Sequence, residues 1–218
     1  MPQIGSKSGE KRVGAGAKPP YKADMSKHSK HPAQTSKINY RALGIDKTIV
    51  LVGLMGVGKT TVGRRLARRL GIGFVDSDHE IEKAADMSVA DIFETYGEEG
   101  FRAGERRVIA RLLDEQPQIV ATGGGAFINE ETRSLIKSAG LSIWLDADID
   151  VLVERTGRRD TRPLLKQGNP EDILRKLAAE RSPIYAQADL KVKSSAGPHE
   201  KVVDHIVQAL KEIGKSCD

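Results

Sequence analysis

Residues 53–60 read GLMGVGKT, which places a lysine and a threonine directly after a glycine-rich turn. The pattern fits G-x-x-x-x-G-K-[ST] at every fixed position. Glycines at 53, 56 and 58 let the backbone double back, so that successive N–H groups point inward at phosphate oxygens. A helix beginning near Lys59 adds the positive end of its dipole. The Lys59 ammonium can reach β- and γ-phosphates, and the Thr60 hydroxyl can ligate Mg²⁺. Gly53, Gly56, Val57, Gly58, Lys59, Thr60 and Thr61 therefore form the candidate nucleotide-phosphate set. The loop alone specifies polyphosphate and Mg²⁺ and leaves the reaction open.

Four further segments carry groups that such a reaction could use. DSD at 76–78 follows a short apolar run. Asp76 there could hold a magnesium-bound water and Asp78 could accept a hydroxyl proton, although ordinary helix capping also fits. GEEGFRAGE at 97–105 sets Arg102 among acids; the planar fork of an arginine suits a carboxylate, and a solvated helix face fits as well. ATGGGAF at 121–127 holds Gly123, Gly124 and Gly125 in a row. Consecutive glycines cost conformational entropy unless backbone must approach something closely, the alternative being a loose turn. ERTGRRDTRPLL at 154–165 crowds Arg155, Arg158, Arg159 and Arg162 around Gly157, which suits a lid over polyphosphate or a solvated basic loop. Arg181, just before Ser182 and Pro183, adds another cation.

The elements that must position these groups follow from apolar spacing. TIVLVG at 48–53 has the composition of a central parallel strand buried on both faces. Val62, Leu66 and Leu70 recur every four residues and describe an amphipathic helix closed by Gly71. GFVD (73–76), QIVAT (118–122), LSIWLD (141–146) and DLKV (189–192) read as further strands. Ser88 and Asp91 open a short helix around 89–95, and Val108, Ile109, Leu112 and Leu113 mark one face of another. Asn169 and Pro170, followed by Glu171 and Asp172, make a helix start. Val202, Val203, Ile206, Val207, Leu210 and Ile213 line a closing helix. The alternation implies an α/β fold: a central parallel sheet flanked by helices in three layers, with a mobile lid.

The totals limit the alternatives. At 218 residues a single domain is expected. Aromatics are 4% of the chain, so the core should be aliphatic and stacking platforms for nucleic acid are scarce. No apolar run approaches the roughly 20 residues of a membrane span, and no signal peptide is expected. Cys217, the single cysteine, cannot form an internal disulfide, which suits a reducing cytoplasm. The formal charge of +5 is lopsided: residues 1–46 hold seven Lys and two Arg against Glu10, Asp24 and Asp46. The remainder is close to neutral. Residues 1–46 also lack an apolar period, which predicts a disordered basic extension before a domain at 47–218.

Taken together, GLMGVGKTTVGRRLA, FVDSDHEIE, DIFETYGEEGFR, ATGGG, RPLL and ERSPIY, in that order, resemble the shikimate kinase family, from about residue 47 to 213. The resemblance implies a P-loop enzyme that phosphorylates the 3-hydroxyl of shikimate with ATP and Mg²⁺, on the route to chorismate and the aromatic amino acids. It further implies that Asp78, Arg102 and Arg181 bind shikimate, the arginines taking its carboxylate, with Glu105 supporting the pocket and Gly123, Gly124 and Gly125 contacting substrate. Arg162 corresponds to the lid arginine that reaches the transferring phosphate, and Arg155 to the residue that packs against adenine. Lys59, Asp78 and Arg162 are then the catalytic set, with Thr60 and, through water, Asp76 at the metal. A small-molecule partner, a monomer and a cytoplasmic location are expected, without membrane or nucleic acid. Gluconate and nucleoside monophosphate kinases share the loop and basic lid, and a kinase for another small polyol acid is the rival. The N/T-K-x-D signature of guanine binding is missing from the sequence.

Overall fold

The computed structural model describes residues 38–157 and 168–215. Among the described residues five strands form one sheet in the order β2-β3-β1-β4-β5: β1 (Thr48–Val52), β2 (Gly73–Asp76), β3 (Gln118–Ala121), β4 (Gly140–Asp146) and β5 (Leu190–Lys193). Every pairing is parallel, with Ile49 opposite Ile119 on one side and Leu141 on the other. Parallel neighbours need crossover connections, and helices supply them. They are α1 (Lys59–Leu70), α2 (Ser77–Ala85), α3 (Val89–Asp114), α4 (Glu130–Ala139), α5 (Ile149–Gly157), α6 (Pro170–Tyr185) and α7 (His199–Lys215). The result is the expected three-layer α/β arrangement. Among the described residues no helix is long and apolar enough to cross a membrane.

Burial explains the strand compositions. All five residues of β1 are buried, as a central strand covered on both faces requires, whereas β2 and β5 lie at the sheet edges and are partly exposed. Helix α1 packs on β1, β2, β3 and α7 through Val62, Leu66 and Leu70, all essentially inaccessible. Gly63 admits the Phe74 ring, since a Cβ there would lie 2.6 Å from it. A second, smaller cluster of Ile81, Ile92, Phe101, Val108, Leu112 and Val120 mounts α2 and α3 on the β3 side of the sheet. The core is mainly aliphatic, but Phe127, Trp144 and Tyr185 gather around one point, with Trp144 and Tyr185 centroids 6.0 Å apart.

Three features depart from the sequence reading. First, the packed domain begins before residue 47. A 3₁₀ turn at Tyr40–Leu43, capped by Asn39, buries Tyr40 and Leu43, and Ile45 is buried behind it. The Ile38 amide donates to the Arg69 carbonyl at 2.8 Å, and Tyr40 donates its hydroxyl to the Lys47 carbonyl. Three apolar residues in a basic stretch leave no period, so composition averages them away. Second, the two helices expected within 89–113 run on as α3, broken at Gly97 (φ 67°, ψ −176°). Third, α4 has too narrow an inward face to be read from spacing, because only Thr132 and Ile136 are fully buried.

Candidate active site

The loop from Gly53 to Gly58 joins β1 to α1. Gly53, Gly56 and Gly58 have φ of 132°, 81° and 100°, values that L side chains avoid. Gly53 is doubly constrained, since a Cβ would lie 2.4 Å from the Leu145 carbonyl oxygen. The Lys59 ammonium donates to the carbonyls of Gly53 (2.7 Å) and Leu54 (3.0 Å), which holds it over the loop. Thr60 donates its hydroxyl to Asp76 Oδ2 at 2.9 Å. That pair presents two hard oxygens. Among the described residues no cluster of three or more His, Cys, Asp or Glu could hold a metal. So sparse a donor set fits Mg²⁺, which typically takes one or two protein oxygens and completes its shell with water and substrate phosphates.

Asp76 does two things at once. Its Oδ1 accepts from the Asp78 amide at 3.2 Å and caps α2, while Oδ2 takes Thr60. The capping and metal-side readings of DSD are both compatible with one carboxylate. Asp78, one residue into α2, is half-buried. Burial raises its pKa above the usual carboxylate range and nearby Asp76 adds to the rise, against the pull of Lys59 and Arg102.

The glycine trio lies against these side chains. A Cβ on Gly123 would stand 2.7 Å from Asp78 Oδ1, and one on Gly125 would stand 2.5 Å from an Arg102 nitrogen. None of the three has a positive φ. Their requirement is closeness, and what comes close is Asp78 and Arg102. The Gly124 carbonyl accepts from Arg181 (3.2 Å) and from the Tyr185 hydroxyl (2.5 Å). Burial pushes Tyr185 up to about 12, so it remains a neutral donor.

Arg102 is gripped from its own helix. Its Nη1 donates to Glu105 Oε2 at 2.7 Å, and Glu105 is only 1% exposed. The other Glu105 oxygen is buried without a partner among the described residues. Burial raises the Glu105 pKa, opposed by the Arg102 hydrogen bond. Arg102, Arg181, Gly125 and Asn129 line one recess together with Glu98 and Glu99. The Arg106–Glu131 ion pair ties α3 to α4 beside it.

On the other flank of the loop, Arg155 donates to the carbonyls of Val57 (3.2 Å) and Ser195 (2.9 Å) and to Ser194 Oγ (3.1 Å). It thus lies beside the phosphate loop, against the segment after β5. Arg162, Arg158 and Arg159, and with them most of the expected lid, fall outside the described residues, as does Cys217. Several supporting residues escape the sequence reading. Ser194 is fully buried and donates to the Val57 carbonyl at 2.9 Å. Ser77 accepts from the Gly123 amide at 3.3 Å. Tyr185 sits within the quoted ERSPIY run without a role of its own. Serines at such positions carry no period, and their partners are distant in sequence.

A family model described as Shikimate kinase matches residues 55–211. The chain is 52% identical over 180 residues to a shikimate kinase of Novosphingobium aromaticivorans, covering 81% of this chain and 93% of that one. It is 54% identical over 169 residues to one from Rhodopseudomonas palustris (78% and 83% covered). Among solved structures, the shikimate kinase of Acinetobacter baumannii in complex with shikimate superposes with a TM-score of 0.73 at 39% identity, covering 78% of this chain and 96% of that one. A gluconokinase from Sinorhizobium meliloti has a TM-score of 0.51 at 19% identity, with 78% and 94% covered. That last likeness is one of fold alone.

Proposed function

The chain belongs to the shikimate kinase family, and on that footing we propose that it transfers the γ-phosphoryl group of ATP to the 3-hydroxyl of shikimate, giving shikimate 3-phosphate and ADP. The observation that carries the reading is the convergence of two sets of groups. The Lys59–Thr60–Asp76 set lies at one end of DSD, and Asp78, Arg102 and Arg181 meet across the glycine trio at the other. A phosphate cradle and a carboxylate-and-hydroxyl pocket therefore share two adjacent turns.

Phosphoryl transfer passes through a loose transition state, so positioning and charge neutralisation dominate. Arg102 and Arg181 take the acceptor's carboxylate and fix the ring. Asp78 orients the attacking hydroxyl and receives its proton late, a role suited to a carboxyl whose proton affinity is raised. Lys59 and the loop amides stabilise charge on the β- and γ-phosphates. Thr60 and, through water, Asp76 would hold Mg²⁺, which supplies further neutralisation of those phosphates. Arg155 packs against the adenine, and the family resemblance assigns the transferring group to Arg162, which lies outside the described residues. The working unit is a monomer in the cytoplasm, with neither nucleic acid nor membrane as partner. The near-neutral charge outside residues 1–46 supports the absence of nucleic acid and anionic membrane among its partners.

The test is ADP release from ATP and Mg²⁺ with shikimate or gluconate as acceptor. Release that depends on shikimate is expected. Equal release with gluconate, or none with either acid, would overturn the assignment.

A further inference from the structure

We propose that Glu98 is an internal competitor for the acceptor's carboxylate: its side chain takes one arm of the Arg102 fork that the incoming acid needs. The proposal rests on the functional reading above and adds a residue that tunes acceptor affinity.

The two ion pairs of Arg102 among the described residues differ in kind. The inner one, Nη1 to Glu105 at 2.7 Å, is made to an oxygen on a side chain 1% exposed. An ion pair of that burial is costly to break from one side. The outer one, Nη2 to Glu98 at 3.3 Å, is made to a side chain 73% exposed. Exposed pairs spaced four residues apart on a helix are weak and readily exchanged. Glu105 thus fixes the arginine, and Glu98 merely occupies it. The occupied Nη2 is the arm nearer Gly125, 2.5 Å from where a Cβ would stand against 2.9 Å for Nη1, and Arg102 and Gly125 line the acceptor recess with Glu98 and Arg181.

The backbone supports this arrangement. Gly97 breaks α3 immediately before Glu98, and a Cβ at Gly97 would meet nothing within 4 Å. The glycine is required by its positive φ, not by crowding, and it starts a new helical segment at Glu98. From that first turn the glutamate reaches Arg102 four residues on. Glu99, its neighbour, lines the same recess and forms no ion pair with Arg102 among the described residues.

An acceptor that uses the Arg102 fork must displace Glu98, and a neutral analogue need not. The competition therefore lowers affinity for the acid. The phosphorylated product keeps the same carboxylate, so its departure is eased by the same exchange.

The experiment is calorimetric titration of the full-length protein with shikimate and with its methyl ester, for the unaltered chain, Glu98→Gln and Glu99→Gln. Glu98→Gln is expected to bind shikimate about two- to fivefold more tightly, the range an exposed pair can contribute. Its affinity for the ester should be unchanged, and Glu99→Gln should bind shikimate like the unaltered chain. Equal or weaker shikimate binding by Glu98→Gln would overturn the proposal, as would equal tightening by Glu99→Gln, which would signal a diffuse charge effect. Tightening for the ester would overturn it too. Failure of the unaltered chain to bind shikimate would overturn the functional reading and this inference with it.

Discussion

Thr60 donates its hydroxyl to Asp76 across 2.9 Å, joining the first turn of α1 to the last residue of β2. The two oxygens proposed to face Mg²⁺ are thereby held by two elements that the sheet already fixes. Asp76→Asn keeps the cap on α2, because asparagine caps as well as aspartate, but removes the charge. The Mg²⁺ concentration for half-maximal ADP release should rise about tenfold or more. An unchanged Mg²⁺ titration would remove Asp76 from the metal.

Lys59→Met removes the ammonium seated on the Gly53 and Leu54 carbonyls. Loss of a positioned charge that stabilises a transition state typically costs on the order of 10²–10³ in kcat. Thermal stability should change little, because the helix keeps its glycine cap. Steady-state ADP release together with a melting curve separates the two effects.

Asp78→Asn should lower kcat by about 10²–10⁴, the range expected of a general base, while raising stability at neutral pH. The sign follows from the raised pKa. The folded state binds the proton more tightly than the unfolded chain, so stability is lost as pH rises from the unfolded value through the folded one. Above that window the native protein carries an ionised, half-buried carboxylate that the amide does not. The Tm difference in favour of Asp78→Asn should shrink as pH falls below the ordinary carboxylate range. In the unaltered enzyme, activity should decline on acidification at a pH above that range.

Gly123→Ala and Gly125→Ala place a methyl against Asp78 Oδ1 and an Arg102 nitrogen, respectively. Both neighbours are ends of flexible side chains, so they can yield, and the stability loss should stay near or below about 1 kcal/mol. What they lose is aim. A misplacement of about 1 Å costs roughly 10² in rate, and it should appear in kcat/KM for the acceptor with ATP binding unaffected. An enzyme indifferent to both substitutions would mean that the trio has no part in acceptor binding.

A chain starting at residue 47 should melt well below one starting at residue 38. It lacks Tyr40, Leu43 and Ile45, three buried apolar side chains, each worth about 1.5–3 kcal/mol when fully buried. Equal melting temperatures would show that the 3₁₀ turn contributes nothing.

Much of this site can be read from the chain because its parts are local. The phosphate loop, DSD and the glycine trio are contiguous runs, each at a strand end, and β1, β3 and β4 declare themselves as short, mainly apolar stretches. What escaped reading is held by partners far apart. Tyr185 meets Gly124 across 61 residues and Ser194 meets Val57 across 137, and neither spacing leaves a mark in composition. Residues 38–46 fail for the opposite reason, since three apolar residues are too few to outweigh the lysines and glycines before them. The trio's signal, a demand for close approach, is met within the chain by Asp78 and Arg102.

The central position of β1 bears on how the protein is made. This strand emerges first from the ribosome, yet its earliest-made neighbour, β3, pairs with it 70 residues later and β4 later still. At roughly 5–20 residues per second, TIVLV waits several seconds with both edges bare. An apolar β-branched segment in that condition is prone to aggregate. During that delay the charged stretches on either side, the basic residues 1–46 before the strand and α1 with four arginines between Arg64 and Arg69 after it, are able to keep the nascent chain in solution.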